Sequence, residues 1–241
     1  MNRSERRRQA KQDRQSVKKN GVKTNIAAHA TVDQAVASMI QPIVTLLNGR
    51  RFEEAEKALG ELLQARPNHP EGLHLSGLLL CQTGREDLGI EKLRAATEFS
   101  PQTALYWNNL STALGRAKLF EESMTASQRA VALDPNYDDA RRNLVQLLLS
   151  GGDIAAAIIE LEHLTVRKPA DAQSWHQLAQ CYGDQNKFDL AEAAYKKVLA
   201  VEPEHIAAMR GLAELYTNNW QYDAAQKLRR QADQLEQAGR V

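Results

Sequence analysis

A chain of 241 residues, 43% hydrophobic and 25% charged, is long enough to bury a sizeable core and polar enough to be soluble by composition. Its two cysteines, Cys81 and Cys181, lie far apart and outside any CxxC, which argues against a disulfide framework or a zinc site and suits reduced thiols in the cytoplasm. No apolar run approaches the roughly 18–20 residues a bilayer span needs, and no apolar segment follows the basic N-terminus, so neither a membrane span nor secretion is expected.

The net charge of +1 conceals an asymmetry. Residues 1–30 hold nine basic side chains against Glu5 and Asp13, which leaves 22 basic and 28 acidic residues for the rest of the chain. Val17 is the one bulky apolar residue of the first twenty beyond Met1, so this stretch cannot bury enough surface to offset ordering entropy and is expected to be a disordered basic tail. Arg3, Arg6, Arg7, Arg8 and Lys11 provide an anionic contact if the tail has a partner. No aromatic is interleaved for base stacking, and no apolar face is present for membrane insertion.

From residue 31 onward the chain repeats. Pro67, Pro101, Pro135, Pro169 and Pro203 fall 34 residues apart without a slip. Placing each proline at position 32 defines frames 36–69, 70–103, 104–137, 138–171, 172–205 and a last, proline-less 206–239. Position 4 reads Met39, Leu73, Trp107, Arg141, Trp175 and Met209, and position 11 reads Leu46, Leu80, Leu114, Leu148, Tyr182 and Tyr216. With positions 7 and 8 they form one stripe of a first helix. Position 8 is mostly small, and position 20 is small in all six frames (Ala55, Gly89, Ser123, Ala157, Ala191 and Ala225), so a second helix can approach closely. NGR at 48–50, TGR at 83–85 and SGGD at 150–153 mark the turns between helices, where glycine takes positive φ. Acids recur just after them, at Glu53/Glu54, Glu86/Asp87, Glu121/Glu122, Asp153, Asp189 and Asp223. That is the place a helix dipole favours negative charge, so these are structural carboxylates rather than acid–base pairs.

A 34-residue period with this tryptophan, leucine and alanine pattern resembles the tetratricopeptide repeat (TPR) family. The resemblance implies an all-α, right-handed α-solenoid of about six helix-turn-helix repeats over residues 31–241, each repeat packing mainly on its neighbours. Some departures stand out. Pro42 at position 7 of the first frame is expected to bend or split that helix near Gln41, leaving residues 31–40 as an extra turn or helix. Arg141 and Val145 replace the aromatic and the small residue of frame four, so looser packing is expected there. Arg229 interrupts the inward stripe of the last helix, whose polar remainder (Gln226, Lys227, Arg230, Gln231, Asp233) suits an end repeat.

No GxGxxG, P-loop, HExxH or GxSxG motif is present, and no two of the six histidines share a metal-binding helix spacing. An enzyme is not expected, nor a cofactor or metal. Trp107 and Trp175 read as core wedges, Trp220 as either core or exposed contact, and His69 as a surface residue whose loss is nearly neutral.

The resemblance further implies that first helices line a concave groove, with positions 2, 5, 6, 9, 12 and 13 facing a ligand. At positions 5, 6 and 9 stand His74, Asn108, Asn109, Thr112, Arg142, Asn143, Gln146, His176, Gln177, Gln180 and Arg210. Amides can pair with the backbone of an extended peptide and cations with its acidic groups, so these residues are the candidate peptide-binding groove, on a face expected not to be core. The family's carboxylate clamp for chaperone C-termini does not match: frames two to four give His74, Leu78, Asn109, Asp139 and Asn143. The expectation is a non-enzymatic module that binds a protein or peptide segment. YWNNLSTALG and DARRNLVQLLLSGGD also resemble the arrays that precede glycosyltransferase or sulfotransferase domains in bacterial proteins, which implies as an alternative an accessory array for a separately encoded transferase. Association with RNA, the ribosome or another anionic surface through the tail is a third.

Overall fold

The computed structural model describes residues 38–239; the basic tail lies outside these residues, as do residues 31–37. Among the described residues there are twelve helices and no strand. The chain divides into two compact units, one reaching Gln102 and the other starting at Thr103. The first contains α1 (38–48), α2 (Phe52–Ala65), α3 (Pro70–Gln82) and α4 (Glu86–Phe99). The second contains α5 (Ala104–Arg116), α6 (Phe120–Leu133), α7 (Asp138–Ser150), α8 (Ile154–Arg167), α9 (Ala172–Asp184), α10 (Phe188–Val201), α11 (Ile206–Asn218) and α12 (Tyr222–Gln237).

Each frame folds as an antiparallel hairpin, and the small residues explain why. Positions 8 and 20 face each other across the hairpin and are sealed from solvent: Ile43 with Ala55, Val145 with Ala157, Ala179 with Ala191 and Ala213 with Ala225 are all at most 1% exposed. In the second hairpin both partners are glycines. A Cβ on Gly77 would stand 2.7 Å from Leu93 Cγ, and one on Gly89 would stand 2.4 Å from Cys81 Sγ, so α3 and α4 approach as nearly bare backbone. In the third, Ser111 and Ser123 replace the apolar pair. Ser111 Oγ donates to the Ser123 carbonyl and Ser123 Oγ to the Ser111 carbonyl, each at 2.8 Å, which satisfies both buried hydroxyls.

All six first helices end alike. The residue at position 15 has positive φ in every frame: Arg50 (54°), Gly84 (79°), Lys118 (62°), Gly152 (79°), Asn186 (56°) and Trp220 (62°). The amide that follows donates to the carbonyl five residues back at 2.8–2.9 Å, as in Arg85 to Leu80 and Gln221 to Tyr216, closing a Schellman motif that turns the chain into the second helix. The glycine expectation thus holds at 84 and 152. In the first turn it is corrected: Arg50, not Gly49, takes the left-handed conformation.

Other expectations are also corrected. The described helix α1 runs from residue 38 to 48 through Pro42 without a break near Gln41. The helix continues across the proline at the cost of one backbone hydrogen bond. Trp107 and Trp175 are half-buried wedges at the core's margin rather than its centre, and Trp175 Nε1 donates to the Pro169 carbonyl at 2.9 Å. His69 is a structural residue: its Nδ1 accepts from the Gly72 amide at 3.1 Å and caps α3. His205 caps α11 the same way through Ala208, and Asp171 caps α9 through Ser174. All three stand at position 34, so the last residue of one frame caps the first helix of the next.

Frame four does pack differently. Helices α7 and α8 approach each other less closely than α5/α6, α9/α10 or α11/α12. Arg141, in the aromatic's place, is 5% exposed; its guanidinium pairs with Glu160 and donates to the Pro135 carbonyl at 2.9 Å. Trp220 is 79% exposed, its ring edge-on to Tyr222, which places it outside the core.

Candidate functional site

The first helices of the second unit, α5, α7, α9 and α11, carry ten of the eleven candidate groove residues, and the structure sorts these into two groups. In hairpins three and four the side chains bind one another. Asn143 Nδ2 donates to Asn108 Oδ1 at 2.8 Å and to Thr112 Oγ1 at 3.3 Å. Asn108 in turn donates to the Tyr137 hydroxyl at 3.3 Å and to Asn109 Oδ1 at 3.5 Å. Asn108 is only 6% exposed, so it is part of the core and not of an open wall, contrary to expectation. The reason lies in the bonds: an amide with donor and acceptor both occupied can be buried at little cost.

Arg142 is tied as well. Its guanidinium donates to Asp139 at 2.9 Å and to Asp171 at 3.0 Å. Burial opposes ionisation of Asp171, but hydrogen bonds from Ser174 and Arg142 outweigh it and hold this carboxyl below its ordinary range. Since Asp171 also caps α9, Arg142 stabilises a helix terminus and the junction between hairpins four and five. Arg210 donates to Glu236 of α12 at 2.7 Å and lies 3.5 Å from Asp233.

In hairpins five and six the arrangement opens. His176 is half-buried, stacked on His205 at 5.1 Å between ring centroids and edge-on to Tyr195 at 5.8 Å. Burial and the nearby His205 lower its pKa, against a hydrogen bond with the Ala207 backbone. Gln177 and Gln180 of α9 border a cleft of about 440 Å³ whose far wall is Glu214 and Asn218 of α11. Position 6 of the last frame is Gly211, which admits the Tyr195 ring at the cleft's edge: a Cβ there would stand 2.4 Å from the Tyr195 hydroxyl. Gln146, on α7, is exposed.

His74 belongs to the first unit and is 4% exposed; burial alone pushes its pKa down to about 4, so it is a neutral core histidine rather than a groove residue. Sequence reading missed Tyr137 and Asp171, whose position 34 served only as a frame boundary. It also passed over Asp184 and Asn218, and left Glu214 of position 9 and Tyr195 of the second helix's inward face out of the candidate site. Asp184 and Asn218 occupy position 13, one of the groove-facing positions that the family resemblance names, and Glu214 occupies position 9, so the signal for these three was present. Tyr195 reaches the cleft from a second helix, whose inward stripe marks it for packing and not for a site.

Profiles of the tetratricopeptide repeat match residues 44–104, 116–181 and 172–205. The chain belongs to the tetratricopeptide repeat family. Among curated relatives, protein FlbA of Caulobacter vibrioides is 30% identical over 121 residues, half of this chain and 20% of that protein. The chain spans 13 to 21% of the length of the curated relatives it matches. Among solved structures, PilF of Pseudomonas aeruginosa superposes with a TM-score of 0.67 at 18% identity, covering 85% of this chain and 93% of that one. YrrB, described as a TPR protein with an unusual peptide-binding site, gives 0.62 at 18% identity over 71% of this chain and 88% of that one. At such identities these superpositions speak for the fold alone. No described helix is long and apolar enough to cross a membrane.

Proposed function

We propose that the second unit receives an extended segment of another protein along its first-helix side and performs no chemistry of its own. One observation carries this reading. Beside a polar network that is satisfied internally, Gln146, Gln177, Gln180 and Asn218 stand on the first helices α7, α9 and α11 with no hydrogen-bond partner among the described residues. Primary amides offer two donors and two acceptor sites, which is what the unpaired N–H and C=O groups of an extended chain require. Membership of the family supports the same reading, since such solenoids present extended binding surfaces. The compartment proposed is the cytoplasm, supported by two buried cysteines that form no disulfide.

The test is partner capture by crosslinking from the source cell, followed by affinity measurement. Gln177→Ala with Gln180→Ala is expected to weaken binding by roughly thirtyfold, at about 1 kcal/mol for each neutral hydrogen bond, with unchanged helicity. Lys197→Glu, on the exposed side of α10, is the control and should change little. Affinity that survives the glutamine pair but is lost with Lys197→Glu or on deletion of residues 1–30 would rule the groove out.

A further inference from the structure

The cleft between hairpins five and six is chemically unlike the rest of this side. Tyr195 is 6% exposed, yet its hydroxyl, aimed into the cleft beside Gly211, has no hydrogen-bond partner among the described residues. Asp184 and Glu214 line the same space, one from α9 and one from α11, and neither carboxylate has an ion-pair partner among the described residues. Several other acids of the second unit are engaged: Asp171 with Arg142, Glu160 with Arg141, Glu192 with Lys196, and Asp233 and Glu236 with Arg210. Burial pushes the Tyr195 phenol up, and the facing Glu214 and Asp184 push it further, to about 12, so the cleft has a negative potential. Its remaining wall is apolar, made by Leu149, Phe188 and Leu215.

We propose that this cleft is an anchor pocket for one lysine or arginine side chain of the bound segment. The aliphatic stem lies against Leu149, Phe188 and Leu215, and the cationic head meets Asp184, Glu214 and the Tyr195 hydroxyl acting as an acceptor. The Tyr195 hydroxyl faces the cleft without a protein partner among the described residues, and a cation that brings donors and a compensating charge meets it and the two carboxylates at once. An acidic side chain would face two carboxylates and is excluded. The proposal rests on the groove reading, because a single pocket of this size holds one side chain and the flanking backbone must run over Gln177 and Gln180.

The test needs no knowledge of the partner. The full-length chain, labelled with nitrogen-15, is titrated with Nα-acetyl-lysine methylamide and, separately, with the norleucine analogue that lacks the ammonium group. Saturable shifts are expected at the Gly211, Glu214 and Asp184 amides with the lysine probe. The norleucine probe should bind at least about fivefold more weakly, and raising salt from about 50 to 300 mM should weaken the lysine probe alone. Asp184→Asn with Glu214→Gln should remove the preference, and Tyr195→Phe should reduce lysine affinity about threefold while circular dichroism stays unchanged. Equal response to both probes, or shifts that persist in the double variant, overturns the proposal. If the lysine probe fails while a captured partner still depends on Gln177 and Gln180, the anchor falls and the groove stands. If the probe binds while the partner ignores the groove, both fall.

Discussion

Hairpins three and four and hairpins five and six are built on the same frame, yet they use their inner polar side chains in opposite ways. In the first pair, Asn108, Asn109, Thr112, Asn143 and Tyr137 join hands across two helices, and Arg142 locks onto Asp139 and the cap of α9. In the second, Gln177, Gln180, Asp184, Glu214, Asn218 and the Tyr195 hydroxyl surround empty space. The difference traces to single positions. Position 6 is asparagine in frames three and four but glycine at 211, and position 5 supplies a short amide at 108 but a ring at 176 that stacks away on His205. A repeat fold thus sets where side chains point, while the residues at two or three positions decide whether a wall is bonded shut or left available.

The bonded half should fail through stability. Glu160→Ala leaves the Arg141 guanidinium, 5% exposed, without its carboxylate, and removal of one partner from such a buried pair costs about 3–5 kcal/mol. Thermal unfolding would show it, and replacing both residues by apolar ones of similar size should recover most of the loss. A cost below about 1 kcal/mol would mean that α7 and α8 are not held by this pair.

Acid provides a second contrast. His74 has a folded pKa of about 4 against an ordinary 6.5, so between these values the unfolded chain binds a proton that the folded chain refuses. Its contribution is complete above pH 6.5 and declines as pH falls toward 4, by about 3 kcal/mol in all. His176, also lowered, acts in the same direction. The amides of Asn108 and Asn143 do not titrate. A urea series at pH 7 and pH 5 should therefore show lost stability, while the side-chain resonances of these two asparagines stay fixed. Stability that rises on acidification would contradict the burial of His74.

Asn108→Ala should cost about 1–3 kcal/mol, because Asn143 and the Tyr137 hydroxyl lose their partner in a half-buried place. Gln180→Ala, in the open half, should leave the melting temperature unchanged. Equal shifts would erase the distinction between the two halves.

How far the sequence exposed all this depends on the kind of interaction. The 34-residue spacing of Pro67 to Pro203 and the small residues at positions 8 and 20 made the hairpins legible, since those positions are constrained by backbone approach alone. The groove face was legible as a set of positions too. Its state was not, because whether Asn108 is buried depends on Asn143 and Tyr137 lying beside it, 35 and 29 residues away. The cap made by His69 was missed because histidine is not a usual capping residue, and the left-handed Arg50, Lys118 and Trp220 because the eye goes to glycine.

Those left-handed residues give the smallest effect, and one blind to which half is bonded. Lys118 ends a first helix in the bonded half, and Asn186 and Trp220 end first helices in the open half, all at the same frame position with φ between 56° and 62°. A side chain with a Cβ pays about 1–2 kcal/mol there, and glycine avoids it at an entropic cost of about 0.5–1 kcal/mol in the unfolded chain. Lys118→Gly and Trp220→Gly are thus each expected to stabilise by about 0.5–1 kcal/mol. Trp220 loses little burial, since its ring is 79% exposed and touches Tyr222 edge-on. Asn186→Gly should be close to neutral, because asparagine tolerates this conformation. Denaturant midpoints would resolve the order. Equal gains at 118 and 220 would show that the Schellman turn is a property of the frame, and that the two halves differ only where their inner side chains meet; a gain at one and a loss at the other would place part of the difference in the backbone itself.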